Sequence, residues 1–148
     1  MPRPLSIIAT LLVITLPLNF VWELAQMPLY EEQGDWLAFA VHCVIPSLGD
    51  GFIVLMIFGV GWLVLRRIDW FARPGLAGYA LMLVTGFVIA VIIEWGAVYV
   101  LDRWRYTASM PMLPGLGIGL SPVLQMLILP PVIFKLTAWW LDKRRRRT

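Results

Sequence analysis

The sequence predicts an all-α, polytopic membrane protein, a single domain of four transmembrane helices with both termini cytoplasmic. Three observations predict it. Of 148 residues, 60% are hydrophobic and 14% charged, with a mean hydropathy of +0.81, whereas soluble domains carry roughly 45–50% apolar and about 25% charged residues. Four apolar stretches have the length, ~20 residues, that a helix needs to cross a bilayer. Lysine and arginine gather on alternate connectors, the asymmetry produced when positive loops stay cytoplasmic. The same figures exclude a water-soluble globule and a disordered tail. The single cysteine excludes a disulfide-built secreted module.

The first span, 5–25, is interrupted only by Ser6, Thr10, Thr15, Asn19 and Glu23. Phe20, Trp22 and Glu23 stand where a signal peptide would need small residues for cleavage, so the segment is expected to be a retained anchor. The stretch 36–65 would be roughly 45 Å long as one helix, more than a ~30 Å hydrocarbon core. Pro46 removes a helix hydrogen bond, and Ser47-Leu48-Gly49-Asp50 has the spacing of a capping box. The stretch is therefore expected to break into a short outer segment, 36–45, and a span, 48–65, with one kinked helix as the alternative. The third span, 75–101, follows Pro74 at a first-turn position and contains Gly86-x-x-x-Ala90, a spacing that permits close helix approach. The fourth, 122–141, is expected to start with Ser121 as N-cap and Pro122 at N1. It ends beside Trp139 and Trp140, which suit an interfacial aromatic belt.

Arg3, Arg66, Arg67, Arg73 and the five cations of 143–147 fall on one side, against Arg103 and Arg105 on the other. Lys135 is placed to snorkel toward the tail side. The net charge of +3 belongs to the tail, for without those five cations seven basic residues face nine acidic ones. So short a run makes no nucleic-acid surface; anionic lipid headgroups are its expected contact.

The acids separate by side. Asp69 and Asp142 are inside, while Glu23, Glu31, Glu32, Asp35, Asp50, Glu94 and Asp102 are outside or in the outer half of the bilayer. Glu31, Glu32 and Asp35 read as solvated loop residues. Asn19, Glu23 and Gln26 follow the i, i+4, i+7 spacing of one helical stripe. Glu94 lies roughly 10 Å below the outer boundary, Gln125 one turn below the start of the fourth span, and Asp50 at comparable depth with His42 and Cys43 above it. A charged residue at the bilayer centre costs about 2.5–3.5 kcal/mol on insertion scales, so these groups are expected to turn inward and share partners. Arg103 or Arg105 is expected to fold back onto a carboxylate. Pro130 and Pro131 free the carbonyls of Met126 and Leu127, either to accept from a ligand or buried water or only to kink the helix. The loop 107–120, TASMPMLPGLGIGL, is too apolar to be freely solvated and is expected on the membrane surface or over the helix ends, where it would act as a lid.

Cys43, alone, excludes thiol–disulfide exchange within one chain. His42 is the only histidine, and no G-x-S-x-G is present. A metal site drawing on His42, Cys43, Asp50, Glu23 and Glu94 lacks ligand pairs at short fixed spacing, so neither metal nor cofactor is expected. Carboxyl groups of unequal burial suit acid–base chemistry. On that reading Glu94 carries the proton, Glu23 or Asp50 is the second acid, and Asn19, Gln26, His42, Tyr106 and Gln125 line the site. Arg103 or Arg105 would hold an anionic headgroup, and Trp22, Trp95 or Trp104 would stack on a ring or cation. The substrate would be lipid-like or a small hydrophobic molecule. The alternatives are an accessory subunit whose polar layer only locks helices together, and a proton-coupled transporter, which with four helices demands a dimer. Expected partners are membrane lipids and a second copy or a larger membrane complex.

The strings NFVWELAQMPLY at 19–30, RWRY at 103–106, MP at 110–111 and GLSPVLQ at 119–125, with Gly49-Asp50, resemble a group of small bacterial inner-membrane proteins to which no activity is assigned. The resemblance covers nearly the whole chain. It implies a bacterial inner-membrane setting and carries no residue roles.

Overall fold

Four long apolar helices, each unable to bury its polar backbone except by hydrogen-bonding to itself, organise the computed structural model. It describes residues 3–31 and 35–147, except for the side chains of Trp36, Phe39, Ala40 and His42. The helices are α1 (Pro4–Gln26, extended by a 3₁₀ turn, Met27–Leu29), α2 (Trp36–Leu65), α3 (Gly75–Trp95, continuing as a π-helical turn, Gly96–Val100) and α4 (Leu120–Arg145). All four are long and apolar enough to cross a membrane. Each packs against two neighbours, in the cyclic order α1, α2, α3, α4, as short connectors between antiparallel helices require. A small antiparallel hairpin, β1 (Met112–Leu113) with β2 (Ile118–Gly119), lies in the connector before α4.

Two of the expected boundaries are corrected. α2 runs unbroken through Pro46, with Asp35 as its N-cap, accepting from the Ala38 N–H at 2.8 Å. The physical reason is that a break at membrane depth would strand several backbone groups in hydrocarbon, while a continuous helix loses one bond at the proline. Ser47 caps nothing; its hydroxyl donates back to the Cys43 carbonyl at 2.7 Å. α4 begins at Leu120 with Gly119 as N-cap, which supplies no side-chain bond, and continues to Arg145. Ser121 is thereby inside the helix, and its hydroxyl is free for another helix.

The buried residues of α3 are Gly78, Met82, Gly86, Ala90 and Glu94, every fourth residue, which puts all of them on one face. The small residues on this stripe let α4 approach: a Cβ on Gly86 would stand 2.5 Å from the Met126 carbonyl oxygen. Of the two carbonyls freed by Pro130 and Pro131, that of Met126 is therefore covered by α3, and the reading in which it serves a ligand is corrected. The half of the bundle that holds the chain termini is apolar. Trp70, from the α2–α3 connector, is fully buried there, packs on Phe71 and Phe134, and donates its indole N–H to the Phe58 carbonyl at 3.2 Å. Gly61 makes room for it, since a Cβ would meet the ring at 2.2 Å, whereas Gly59 on the same helix faces open space.

That contrast makes a prediction. Gly61→Ala should lower the unfolding free energy in detergent by about 1–3 kcal/mol, the usual cost of overpacking. Gly59→Ala should cause no loss. Denaturant titration of the two purified variants, followed by tryptophan fluorescence, measures the difference.

Candidate functional site

The polar layer forms around Gln125. One turn into α4, this side chain is 1% exposed, and its carboxamide faces two other helices at once. Its Nε2 group donates to Asn19 Oδ1 at 2.9 Å and to Glu23 Oε1 at 3.1 Å, both on α1, and to Asp50 Oδ2 on α2 at 2.8 Å. Its Oε1 accepts from Gln26 Nε2 at 3.4 Å, and Gln26 also donates to Glu23 Oε1 at 3.0 Å. Asn19 is held from below by a bond from its Nδ2 to the Thr15 carbonyl at 2.9 Å. Ser121 completes the ring by donating to Gln26 Oε1 at 2.8 Å. The carboxyl groups of Glu23 and Asp50 thus lie side by side, both against the Gln125 amide.

Glu94 stands beside this ring. It is 6% exposed, on the inner stripe of α3, and accepts from the Tyr106 hydroxyl at 2.6 Å. Tyr106 reaches it because the chain after α3 reverses at Asp102, which takes a left-handed conformation (φ 45°), and then runs extended. Residues 29–31 pair with 105–107 through the bonds Glu31 N–H to Arg105 O and Thr107 N–H to Leu29 O, both 3.0 Å. Along an extended chain, side chains alternate between faces. Trp104 and Tyr106 therefore turn toward the helix ends and Arg103 and Arg105 turn outward. This corrects the expectation that an arginine folds back: Arg105 pairs with Asp102 at 3.3 Å on the surface, and no lysine or arginine side chain pairs with Glu23, Asp50 or Glu94 among the described residues.

Aromatic rings roof the acids. Tyr30 lies 5.5 Å from Tyr106 and 6.4 Å, edge-on, from Trp104. Burial foremost, then the field of nearby carboxylates, holds the Tyr30 phenol well above its ordinary range. Burial, then the bond to Glu94, does the same for Tyr106. The Nε1 atom of Trp22 and the Thr15 hydroxyl are buried without a hydrogen-bond partner, while the Trp104 indole N–H lies beside the Glu94 carboxyl and the Tyr106 hydroxyl. Trp95, expected as a stacking residue, is instead half exposed on the outer surface and packs on Tyr99.

The hairpin closes the layer from above. Met110 and Ile118 are buried, Tyr99 donates to the Gly117 carbonyl at 2.7 Å, and a Cβ on Gly119 would press on Tyr106 at 3.1 Å. Gly117 (φ 64°) and Gly115 (φ 80°) supply the left-handed turn that folds it back. The loop thus packs over the helix ends, as its apolar composition leads one to expect.

Of the ten residues expected to form a site, Asn19, Glu23, Gln26, Asp50, Glu94, Tyr106 and Gln125 converge, and Arg103 and Arg105 do not. The side chain of His42, like the loop acid Glu32, lies outside the described residues. Ser121, Tyr30 and Thr15 belong to or adjoin the layer without having been expected there. Two were traceable in the sequence: Ser121 stands four residues before Gln125 and Thr15 four before Asn19, each on the stripe already recognised. Tyr30 was not, because its contact depends on the pairing with 105–107. Among the described residues no three His, Cys, Asp or Glu side chains close on a common metal position. No family model matches the chain, and neither does any curated protein or solved structure.

Removing the hub should loosen three helices together. Gln125→Leu is expected to lower stability by about 1–2 kcal/mol, because interhelical bonds in membranes average ~0.6 kcal/mol each and two acids lose their donor; melting curves in detergent measure it. Tyr106 also gives a pH signature. Its folded pKa lies above the unfolded value of ~10. Its contribution is therefore complete below pH ~10 and is lost as pH rises through the higher folded value. The ultraviolet phenolate band of wild type minus Tyr106→Phe should accordingly appear only above the range of an exposed tyrosine.

Proposed function

We propose that the polar layer is a site in the outer half of the bilayer that binds or modifies a lipid-like or small hydrophobic substrate by carboxylate acid–base chemistry. One observation carries the reading. Three carboxyl groups from three helices meet amides and hydroxyls, with no cationic side chain paired to any of them among the described residues. A cluster that only locked helices would be expected to balance its acids with bases or dispense with charge, as buried ion pairs and amide ladders do. Acids gathered in one layer without a base are equipped instead to hold and pass protons. In this reading Glu94, bonded to Tyr106, is the proton carrier facing the substrate. The Glu23–Asp50 pair is the second proton store, and Gln125 is a positioning residue. The buried indole N–H of Trp22 is a donor for a substrate's polar head. Entry is lateral, beneath the hairpin, which keeps water out. The basic residues at 3, 66, 67, 73 and 143–147 support a topology with both termini cytoplasmic in a bacterial inner membrane.

The second reading, an accessory subunit, is favoured by a specific observation: one side chain of α4, Gln125, bonds to both α1 and α2, as a structural rivet would. Native mass spectrometry separates the two. Protein extracted from its own membranes should carry one uniform small amphiphile, and Glu94→Gln and Asp50→Asn should lose it while melting within a few degrees of wild type. If both variants melt much lower, or wild type carries no such species, the site reading fails and the rivet reading stands.

A further inference from the structure

A second feature lies at the opposite end of the bundle. Between α3 and α4, at the end that carries the chain termini, a half-enclosed groove of about 200 Å³ runs down from the α2–α3 connector. Its floor is Met82 and Phe134, 1% and 0% exposed, and its walls are Tyr79 on one side and Pro131 and Ala138 on the other. Lys135 lines it as well. Its position is unusual, because it lies ten residues before the end of α4, roughly 15 Å along the axis and about one turn deeper than the exposed Trp139 and Trp140. An ammonium at that depth is costly unless it reaches the interface or meets a negative group. Lys135 pairs with no carboxylate among the described residues. Lys143, by contrast, is engaged over the Trp139 ring at 4.8 Å. Pro74 closes the upper end of the groove, directly after Arg73.

We infer that this groove holds one anionic glycerophospholipid, with an acyl chain along Tyr79, Pro131 and Ala138 and its phosphate against the Lys135 ammonium. The chemistry of the lining selects the ligand. Its accessible walls, Tyr79, Pro131 and Ala138, match a hydrocarbon chain, its single cation matches one phosphate, and it offers no acid to a zwitterionic headgroup's amine. A basic pocket between membrane helices on the cytoplasmic side is the usual form of such a site. It is separate from the carboxyl layer and holds whether or not that layer is catalytic.

The test is native mass spectrometry of the full chain in neutral detergent, with dioleoyl phosphatidylglycerol, dioleoyl phosphatidylcholine or inorganic phosphate added at equal concentration. Wild type should retain one phosphatidylglycerol in preference to phosphatidylcholine and should not retain phosphate. Lys135→Gln should reduce that occupancy roughly fivefold, the factor for one cation near a headgroup, and Ala138→Trp, which fills the groove, should abolish it. Replacing all five cations of 143–147 by glutamine should leave the first bound lipid in place. Equal retention of the two lipids, retention of inorganic phosphate, an unchanged occupancy in Lys135→Gln or loss on neutralising the tail alone would each overturn the assignment. Lys135 is exposed, so its glutamine variant decides the matter even if Ala138→Trp fails to fold.

Discussion

The cost of placing carboxyl groups in hydrocarbon is the constraint on which the rest of this structure depends. Glu94, Asp50 and Glu23 enter the membrane on three different helices, and none can stay there without a hydrogen-bonding partner. Gln125 answers for two of them, with one NH₂ group facing three oxygen acceptors between 2.8 and 3.1 Å. Two hydrogens cannot serve three acceptors at full strength. Glu23 also accepts from Gln26 on its own helix, which makes up part of the shortfall.

The two halves of the bundle solve the packing problem differently. Around Trp70, Phe71 and Phe134 shape does the work, with Gly61 cut away to admit an indole. Such contacts tolerate no added atoms. Around Gln125, directional bonds hold the helices while side chains remain only partly enclosed: Glu23 and Asp50 keep some exposure although Gln125 and Asn19 have almost none. The bundle thus joins an apolar half fixed by shape to a polar half fixed by directional bonds.

The connector between α3 and α4 links these properties to the surface. The π turn at Gly96–Val100 and the left-handed Asp102 redirect the chain, and pairing with residues 29–31 then places Tyr106 over Glu94. Insertions of this kind in a helix recur at functional sites. Here the turn ends α3 just past its acid and aims the following strand back across the bundle. A regular helix of the same length would carry those residues away from α1.

How much of this was legible in the sequence follows from the physics of each part. Helix number and extent were readable because spanning a bilayer demands long apolar runs, and the inward turn of Asn19, Glu23, Gln26, Glu94 and Gln125 followed from helical spacing plus the penalty for facing lipid. Those are properties of one helix and its solvent, and the sequence by itself determines them. The outward course of Arg103 and Arg105, the covering of the Met126 carbonyl by Gly86 and the burial of Trp70 were decided only by the tertiary structure. Each depends on what another segment places opposite, and a strand pairing or a ring packed against a distant glycine leaves no mark on local periodicity.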